Sequence, residues 1–312
     1  MPLYNKFSDY LKTKYGEKVY KLPINIPATC PNRDGTLSSK GCIFCGEEGA
    51  GFENLSNSLD VKQQLLQNSH YIGTKYKIKK FIAYFQNFSN TYLPLERFKK
   101  YILDACLNCV VAVYISTRPD CINDRYLDFL QQVKNSRNVD IVVELGLQTV
   151  NYHTLDFLQR GHSLAEFIDA VARINSYGID SCAHYIVDLP LDSLRDVIEG
   201  AKILSALEVK QVKCHSLYIL KDTLLGYMYE RGEITPISMD EYIERTITFL
   251  EYLNPDIVVQ RLLGRAPKER CLFCNWETSW WKIQDMIEEK MKSEERYQGK
   301  RFGYLNGRAL LY

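Results

Sequence analysis

Six β-rich runs, at residues 19–26, 80–85, 110–116, 140–146, 179–187 and 211–216, alternate with stretches of amphipathic helical period. The runs favour Val, Ile, Tyr and Phe, as strands do. Val110-Val111-Ala112-Val113-Tyr114-Ile115 is apolar throughout, the pattern of a strand buried on both faces of a parallel sheet. Residues 61–71, 95–106, 164–177, 192–204 and 240–253 repeat apolar side chains at three- and four-residue steps; Phe98, Ile102 and Cys106 mark one such face. Gly178, directly after Tyr177, stands where a helix ends and the chain turns into the next strand. Alternation of this kind implies right-handed βαβ crossovers and parallel pairing.

The expected fold is therefore α/β, a partial (β/α)6 barrel over residues 1–255. Residues 3–16 read as a leading amphipathic helix. Residues 256–312 read as a C-terminal extension packed on the barrel, with a strand-like run at 257–260, a Trp-rich turn and a charged helix near 281–297. A doubly wound sheet is the structural alternative. No G-x-G-x-x-G or Walker sequence occurs, which weakens that alternative and any nucleotide-phosphate chemistry.

Charge and cysteine usage narrow the function. Lys plus Arg total 39 against 38 Asp plus Glu, a net charge of +1, so any basic surface must be local. No apolar run reaches the roughly 18 residues of a membrane span, and residues 1–6 show no signal-peptide core. A cytoplasmic protein without a membrane partner is expected. Its 10 cysteines then read as thiols or metal ligands rather than disulfides.

Cys30, Cys42 and Cys45 have the spacing C-x11-C-x2-C, in a turn-rich loop after the first strand. In a parallel barrel that is the functional rim. A [4Fe–4S] cube held by three thiolates keeps one iron free for a small molecule, whereas electron-transfer clusters usually have four cysteines. The alternative is zinc, which wants four ligands; Asp34, Glu47, Glu48 and His70 are the nearest other donors, and none stands at an obvious fourth position. Cys271/Cys274 and Cys106/Cys109 are further C-x2-C pairs. Together they would suit a tetrathiolate zinc site; alternatively, Cys106 and Cys109 are buried thiols at a helix end.

The three-cysteine loop, with Phe44 before its last cysteine, resembles the radical S-adenosylmethionine (SAM) superfamily. The eleven-residue gap is similar to the branch related to the catalytic subunit of Elongator. Further stretches resemble one small bacterial subfamily of that branch: Tyr84-Phe85-Gln86-Asn87-Phe88-Ser89-Asn90-Thr91-Tyr92, Ser116-Thr117-Arg118-Pro119-Asp120, Glu144-Leu145-Gly146-Leu147-Gln148-Thr149, Arg160-Gly161-His162, Asp188-Leu189-Pro190 and Arg261-Leu262-Leu263-Gly264. The resemblance implies a [4Fe–4S] cluster on Cys30, Cys42 and Cys45, with SAM chelated by the open iron. Reductive cleavage of the sulfonium then yields a 5′-deoxyadenosyl radical that abstracts hydrogen. The cofactor carries that chemistry; the protein orients it.

Gln86 and Asn87 occupy the place where relatives hold the methionine amine, often with Gly-Gly-Glu, from which this chain departs. Thr117 and Arg118 suit the SAM carboxylate, the guanidinium by its fork geometry. Glu144 and Gln148 suit the ribose hydroxyls, and Glu144 within Val142-Val143-Glu144-Leu145 needs a partner if buried. His162 reads as a structural residue at a helix start. His184 and His215, on the fifth and sixth strands, are candidate substrate contacts or core histidines, and Arg261 is a third substrate candidate.

Lysines at 75, 77, 79 and 80, lysines and tyrosines interleaved over residues 1–21, and Arg261, Arg265, Lys268 and Arg270 before the Trp-rich turn are local basic clusters. Such groups engage phosphates and stack bases, or are simply solvated. The resemblance implies tRNA as partner and the C5 side chain of wobble uridine as substrate. The expected reaction is conversion of the carboxymethylaminomethyl to the aminomethyl form, with a flavodoxin- or ferredoxin-type electron donor and a separate downstream methyltransferase. A radical SAM enzyme of a small metabolite or protein, and a non-catalytic zinc-stabilised RNA-binding module, are the alternatives.

Overall fold

The β-rich runs become strands and the amphipathic stretches helices in the computed structural model, which describes residues 2–47, 49 and 54–310. Glu48, one of the potential zinc donors, lies outside the described residues. In chain order the elements are α1 (Phe7–Tyr15), β1 (Val19–Ile24), α2 (Val61–Tyr76), β2 (Lys80–Phe85), α3 (Leu95–Ala105), β3 (Val110–Thr117), α4 (Asp124–Arg137), β4 (Asp140–Gln148), α5 (Tyr152–Phe157), α6 (Leu164–Ser176), β5 (Asp180–Ile186), α7 (Leu194–Ala206), β6 (Gln211–His215), β7 (Tyr218–Leu220), α8 (Leu224–Glu230), α9 (Met239–Tyr252), β8 (Val258–Arg261), β9 (Cys271–Cys274) and α10 (Trp280–Ser293). A seven-stranded sheet has the order β1-β2-β3-β4-β5-β6-β8, and β7 and β9 form a separate antiparallel pair. A doubly wound sheet reverses its strand order at a switch point. This one runs in chain order throughout, as a barrel wall does. No helix among the described residues is long and apolar enough to cross a membrane.

The elements divide into two compact units. One comprises Ser8–Gly146 and Arg160–Cys182; the other comprises Met1–Phe7, Leu147–Gln159 and Ala183–Tyr312. In the first unit β1–β2, β2–β3 and β3–β4 pair in parallel, with Pro23, Tyr84, Tyr114 and Val142 in register. Ile24, Phe85, Tyr114 and Val143 are almost wholly buried, each side chain contributing roughly 1.5–3 kcal/mol of hydrophobic stabilisation. Capping boxes start α2 (Asp60 with Gln63) and α6 (Ser163 with Glu166), satisfying amides that have no partner within the helix. Gly178 follows the end of α6 with φ +63°, as the sequence leads one to expect.

In the second unit β8 pairs in parallel with β6, Gln211 opposite Val258. The strand-like run of the tail is thus a sheet strand, and the six expected strands become seven. The leading helix is shorter than the expected 3–16. Asn5 O accepts a hydrogen bond from Val259 N at 2.8 Å and Lys6 bridges to Val259. That extended backbone satisfies the edge of β8, so α1 begins only at Phe7. The Trp-rich turn is anchored inward: Trp276 Nε1 donates to Ile237 O at 2.7 Å.

Candidate active site

The cysteine loop follows β1 and is shaped by its own backbone. Cys30 O accepts from Arg33 N and Asp34 N, and Cys42 O accepts from Cys45 N, so Cys42 and Cys45 share one tight turn, with Phe44 half-buried between them. Gly41 has φ +74°, and a Cβ there would meet Arg33 Cγ at 3.2 Å. Its amide donates to Asn32 O at 2.7 Å. This fold-back sets side-chain donors against the sulfurs. Asn32 Nδ2 lies 3.3 Å from Cys42 Sγ, and Arg33 Nη1 lies 3.5 Å from Cys45 Sγ. A third donor comes from the turn before α6: Arg160 Nη1 lies 3.3 Å from Cys42 Sγ. Burial pushes the Cys45 thiol up, Cys42 adds to this, and Arg33 and Arg160 oppose it.

Beyond β2 and β3 lies a second polar group in the same unit. Asn87 Nδ2 donates to Asn25 Oδ1 at 3.1 Å, while Asn87 Oδ1 is buried without a hydrogen-bond partner. Thr117 Oγ1 is tied to Ser89 Oγ (2.9 Å) and Thr91 Oγ1 (2.6 Å). Arg118 is 4% exposed. Its Nε and Nη2 form a fork onto Asp120 at 2.9 and 2.8 Å, and its Nη1 is buried without a partner. Burial works against the Arg118 charge, but Asp120 and the nearby Cys30 and Cys42 hold the proton on. Gln86 is half-buried beside Asn87.

Glu144 has the partner its burial demands. Lys21 Nζ of β1 donates to Glu144 Oε1 at 2.6 Å, and Ser116 Oγ lies 3.4 Å from Oε2. The ammonium also sits over the rings of Tyr84 (4.5 Å) and Tyr114 (4.1 Å). His162 is neutral: burial, then Arg160 and Arg118, lower it to about 3. Its Nε2 lies 3.2 Å from Arg160 Nε, so the imidazole orients the guanidinium.

The other unit holds the remaining candidates. Gln148 ends β4 with φ +75°. Arg261 Nη2 lies 2.7 Å from His215 Nδ1, and the His184 and His215 rings are 5.6 Å apart. Asp188 Oδ1 accepts from Leu217 N at 2.7 Å, and burial raises this carboxyl to about 7. Cys271 and Cys274 on β9 share a thiol hydrogen bond that lowers Cys274 to about 7 and pushes Cys271 up. Cys106, in the first unit, donates to Ile102 O at 3.3 Å, as a thiol at a helix end does. Of the possible zinc donors, Asp34, Glu47 and His70 are exposed.

Sequence reasoning missed Lys21, Asn32, Arg33 and Arg160. Lys21 was visible as a lone cation inside Val19-Tyr20-Lys21-Leu22-Pro23-Ile24, and Arg160 belongs to a motif whose histidine alone drew attention.

The donor set fits a [4Fe–4S] cluster with SAM. Two of the three cysteines, Cys42 and Cys45, face N–H donors suited to thiolate sulfur. Nearby, an unpartnered amide oxygen suits an ammonium, and an unpartnered guanidinium nitrogen suits a carboxylate, the two ends of SAM's methionine.

Comparison with known proteins agrees. The chain matches the radical SAM superfamily over residues 24–204 and the radical SAM C-terminal domain over residues 209–293. It is 34% identical over 309 residues to the uncharacterized protein YtqA of Bacillus subtilis, covering 99% of this chain and 95% of that one. It is 29% identical over 148 residues, 46% of this chain and 26% of the other, to a tRNA uridine(34) acetyltransferase of Methanocaldococcus jannaschii. The structure of Elp3 from Methanocaldococcus infernus shares the fold, with a TM-score of 0.67 at 17% identity, covering 90% of this chain and 64% of that one. Together the cysteine loop, the partial-barrel strand order and these matches identify the chain as a radical SAM enzyme, a member of the superfamily that uses a [4Fe–4S] cluster and SAM.

Proposed function

We propose that this radical SAM enzyme acts on tRNA, at the C5 side chain of wobble uridine, converting the carboxymethylaminomethyl form to the aminomethyl form. The observation that carries this reading is the 29% identity over 148 residues to a tRNA uridine(34) acetyltransferase. The net change is a two-electron oxidation for which SAM would be the oxidant: the carboxymethyl CH2 gives up a hydrogen atom and an electron, water hydrolyses the C=N bond so formed, and the side-chain nitrogen is left as the amine while the two-carbon fragment departs as glyoxylate.

When bound, the cluster and SAM supply reductive cleavage of a sulfonium and abstraction of a hydrogen atom, chemistry suited to C–H bonds that resist bases. The chain's own residues hold and orient. Cys30, Cys42 and Cys45 hold the cluster, and Phe44 shapes its turn. Asn87 Oδ1, with Gln86 beside it, accepts from the methionine ammonium. Arg118 Nη1 donates to the methionine carboxylate, its other two donors being fixed by Asp120. Thr117 braces that segment through Ser89 and Thr91. Glu144, held by Lys21, serves the ribose hydroxyls. His184, His215 and Arg261 contact substrate.

A surface of the first unit suits the body of a tRNA. Tyr20 and Tyr76, both exposed, stack at 5.8 Å with ring planes 11° apart, and Lys75 lies over Tyr76 at 5.3 Å. Exposed rings beside a cation stack unpaired bases and meet phosphate. Nucleoside mass spectrometry of tRNA from a deletion strain tests the proposal. Accumulation of carboxymethylaminomethyl-uridine, with loss of the aminomethyl form and its methylated product, is expected. An unchanged wobble-uridine profile would refute the tRNA substrate and leave the radical chemistry untouched.

A further inference from the structure

The motif Arg160-Gly161-His162 has a job that its place before a helix conceals. Arg160 is 7% exposed. Its three nitrogens are each assigned: Nη1 to Cys42 Sγ at 3.3 Å, Nη2 to Gly146 O at 2.8 Å, and Nε to His162 Nε2 at 3.2 Å. Two acceptors therefore fix the plane of the guanidinium, and its remaining edge faces sulfur. Gly161 lets the chain pass close: with φ +65°, its Cβ would lie 3.0 Å from Asn32 Oδ1. Asn32 is itself 2% exposed and gives Cys42 Sγ its second donor at 3.3 Å. Arg33 supplies Cys45 Sγ at 3.5 Å while anchored on Gly46 O at 2.6 Å and lying against the ring of Phe88.

We propose that Arg160, Asn32 and Arg33 are N–H donors to the cluster-ligand sulfurs that raise the cluster's reduction potential, with Arg160 the strongest and His162 its positioning residue. The inference rests on Cys42 and Cys45 being cluster ligands, as in the functional reading above. The physics is direct. One-electron reduction adds negative charge to the cube and its sulfurs. N–H dipoles and a guanidinium aimed at those sulfurs stabilise the added charge, and low polarity around them strengthens the effect. Cys42 carries two such donors, one of them cationic, so it is the ligand through which the tuning is greatest.

The test is the cluster's midpoint potential, followed by electron paramagnetic resonance in anaerobically reconstituted protein without substrate. Iron content and the cluster's absorbance are recorded for every variant. Wild type, Arg160→Gln, Arg160→Lys and Asn32→Leu are compared. Arg160→Gln should retain the irons yet be about tenfold harder to reduce, a shift of about 59 mV to more negative potential for one electron. Asn32→Leu should shift the same way by less, and Arg160→Lys should fall between. Wild-type midpoints in the loaded variants would overturn the inference. If Arg160→Gln cannot hold a cluster, Arg160→Lys and Asn32→Leu decide, and unshifted potentials or failure to fold in both would reduce these residues to loop scaffolding. A wild-type protein that never takes up iron refutes the earlier reading of the cysteines instead, so the two failures are separable.

Discussion

Lys21 Nζ lies 2.6 Å from Glu144 Oε1, joining β1 to β4 within one unit, with the carboxylate side chain 0% exposed and the lysine 19% exposed. A carboxylate so placed loses its hydration and is stable as an anion only beside a partner. Removing one partner of such a pair leaves an uncompensated charge, and that costs more than the pair itself contributes.

Lys21→Met should therefore destabilise the fold by about 3–5 kcal/mol, read as a lower urea midpoint. Glu144→Gln, which still meets Ser116 and Lys21, should cost less and should weaken SAM binding while the cluster stays intact. The double variant Lys21→Met/Glu144→Leu should recover much of the stability lost in Lys21→Met. A double variant as unstable as the sum of Lys21→Met and Glu144→Leu, each measured alone, would show that the pair is not coupled.

His162 gives acid pH a specific target. Burial lowers it to about 3, whereas the unfolded chain binds a proton near pH 6.5. Below the unfolded value the denatured state gains protons that the native state refuses, so stability falls from about pH 6.5 towards about pH 3. The loss between pH about 7 and about 5 is on the order of 2 kcal/mol. His162→Gln keeps an acceptor for Arg160 and should flatten that segment of the stability profile in denaturant titrations. An unchanged slope would mean that His162 titrates normally in the fold.

Asp188 acts in the opposite direction. Its carboxyl is raised to about 7 by burial, against about 3.9 when unfolded. Both states carry the proton at low pH and nothing is lost. As pH rises through that window the unfolded state ionises first, and stability declines by on the order of 3–4 kcal/mol. Asp188→Asn preserves an acceptor for Leu217 N and should raise stability above pH about 7 while changing little near pH about 4. A variant equally destabilised at both pH values would show that the carboxyl is needed for something other than its charge.

The strand–helix alternation made the barrel readable from the residues, because each buried strand is a compact apolar run with a helix of matching period behind it. β8 was harder: four residues satisfied on one side by β6 and on the other by Asn5 and Lys6 carry too little pattern to separate them from a tail. In the candidate site, Cys30, Cys42 and Cys45 were legible because spacing in a turn-rich loop is a local property. Arg160 was not, since its contact with Cys42 spans 118 residues and nothing near position 160 hints at sulfur. Glu144 announced that it needed a partner, but only the folded chain shows that Lys21, 123 residues away in sequence, provides it.

Every functional assignment depends on Cys30, Cys42 and Cys45 carrying a [4Fe–4S] cluster at which SAM is cleaved. Anaerobic reconstitution followed by metal analysis and by assay of SAM cleavage with dithionite tests it most directly. About four irons per chain and reductive release of 5′-deoxyadenosine are expected, both lost in Cys42→Ala. A chain that takes up only zinc, or a Cys42→Ala variant that still cleaves SAM, would contradict it.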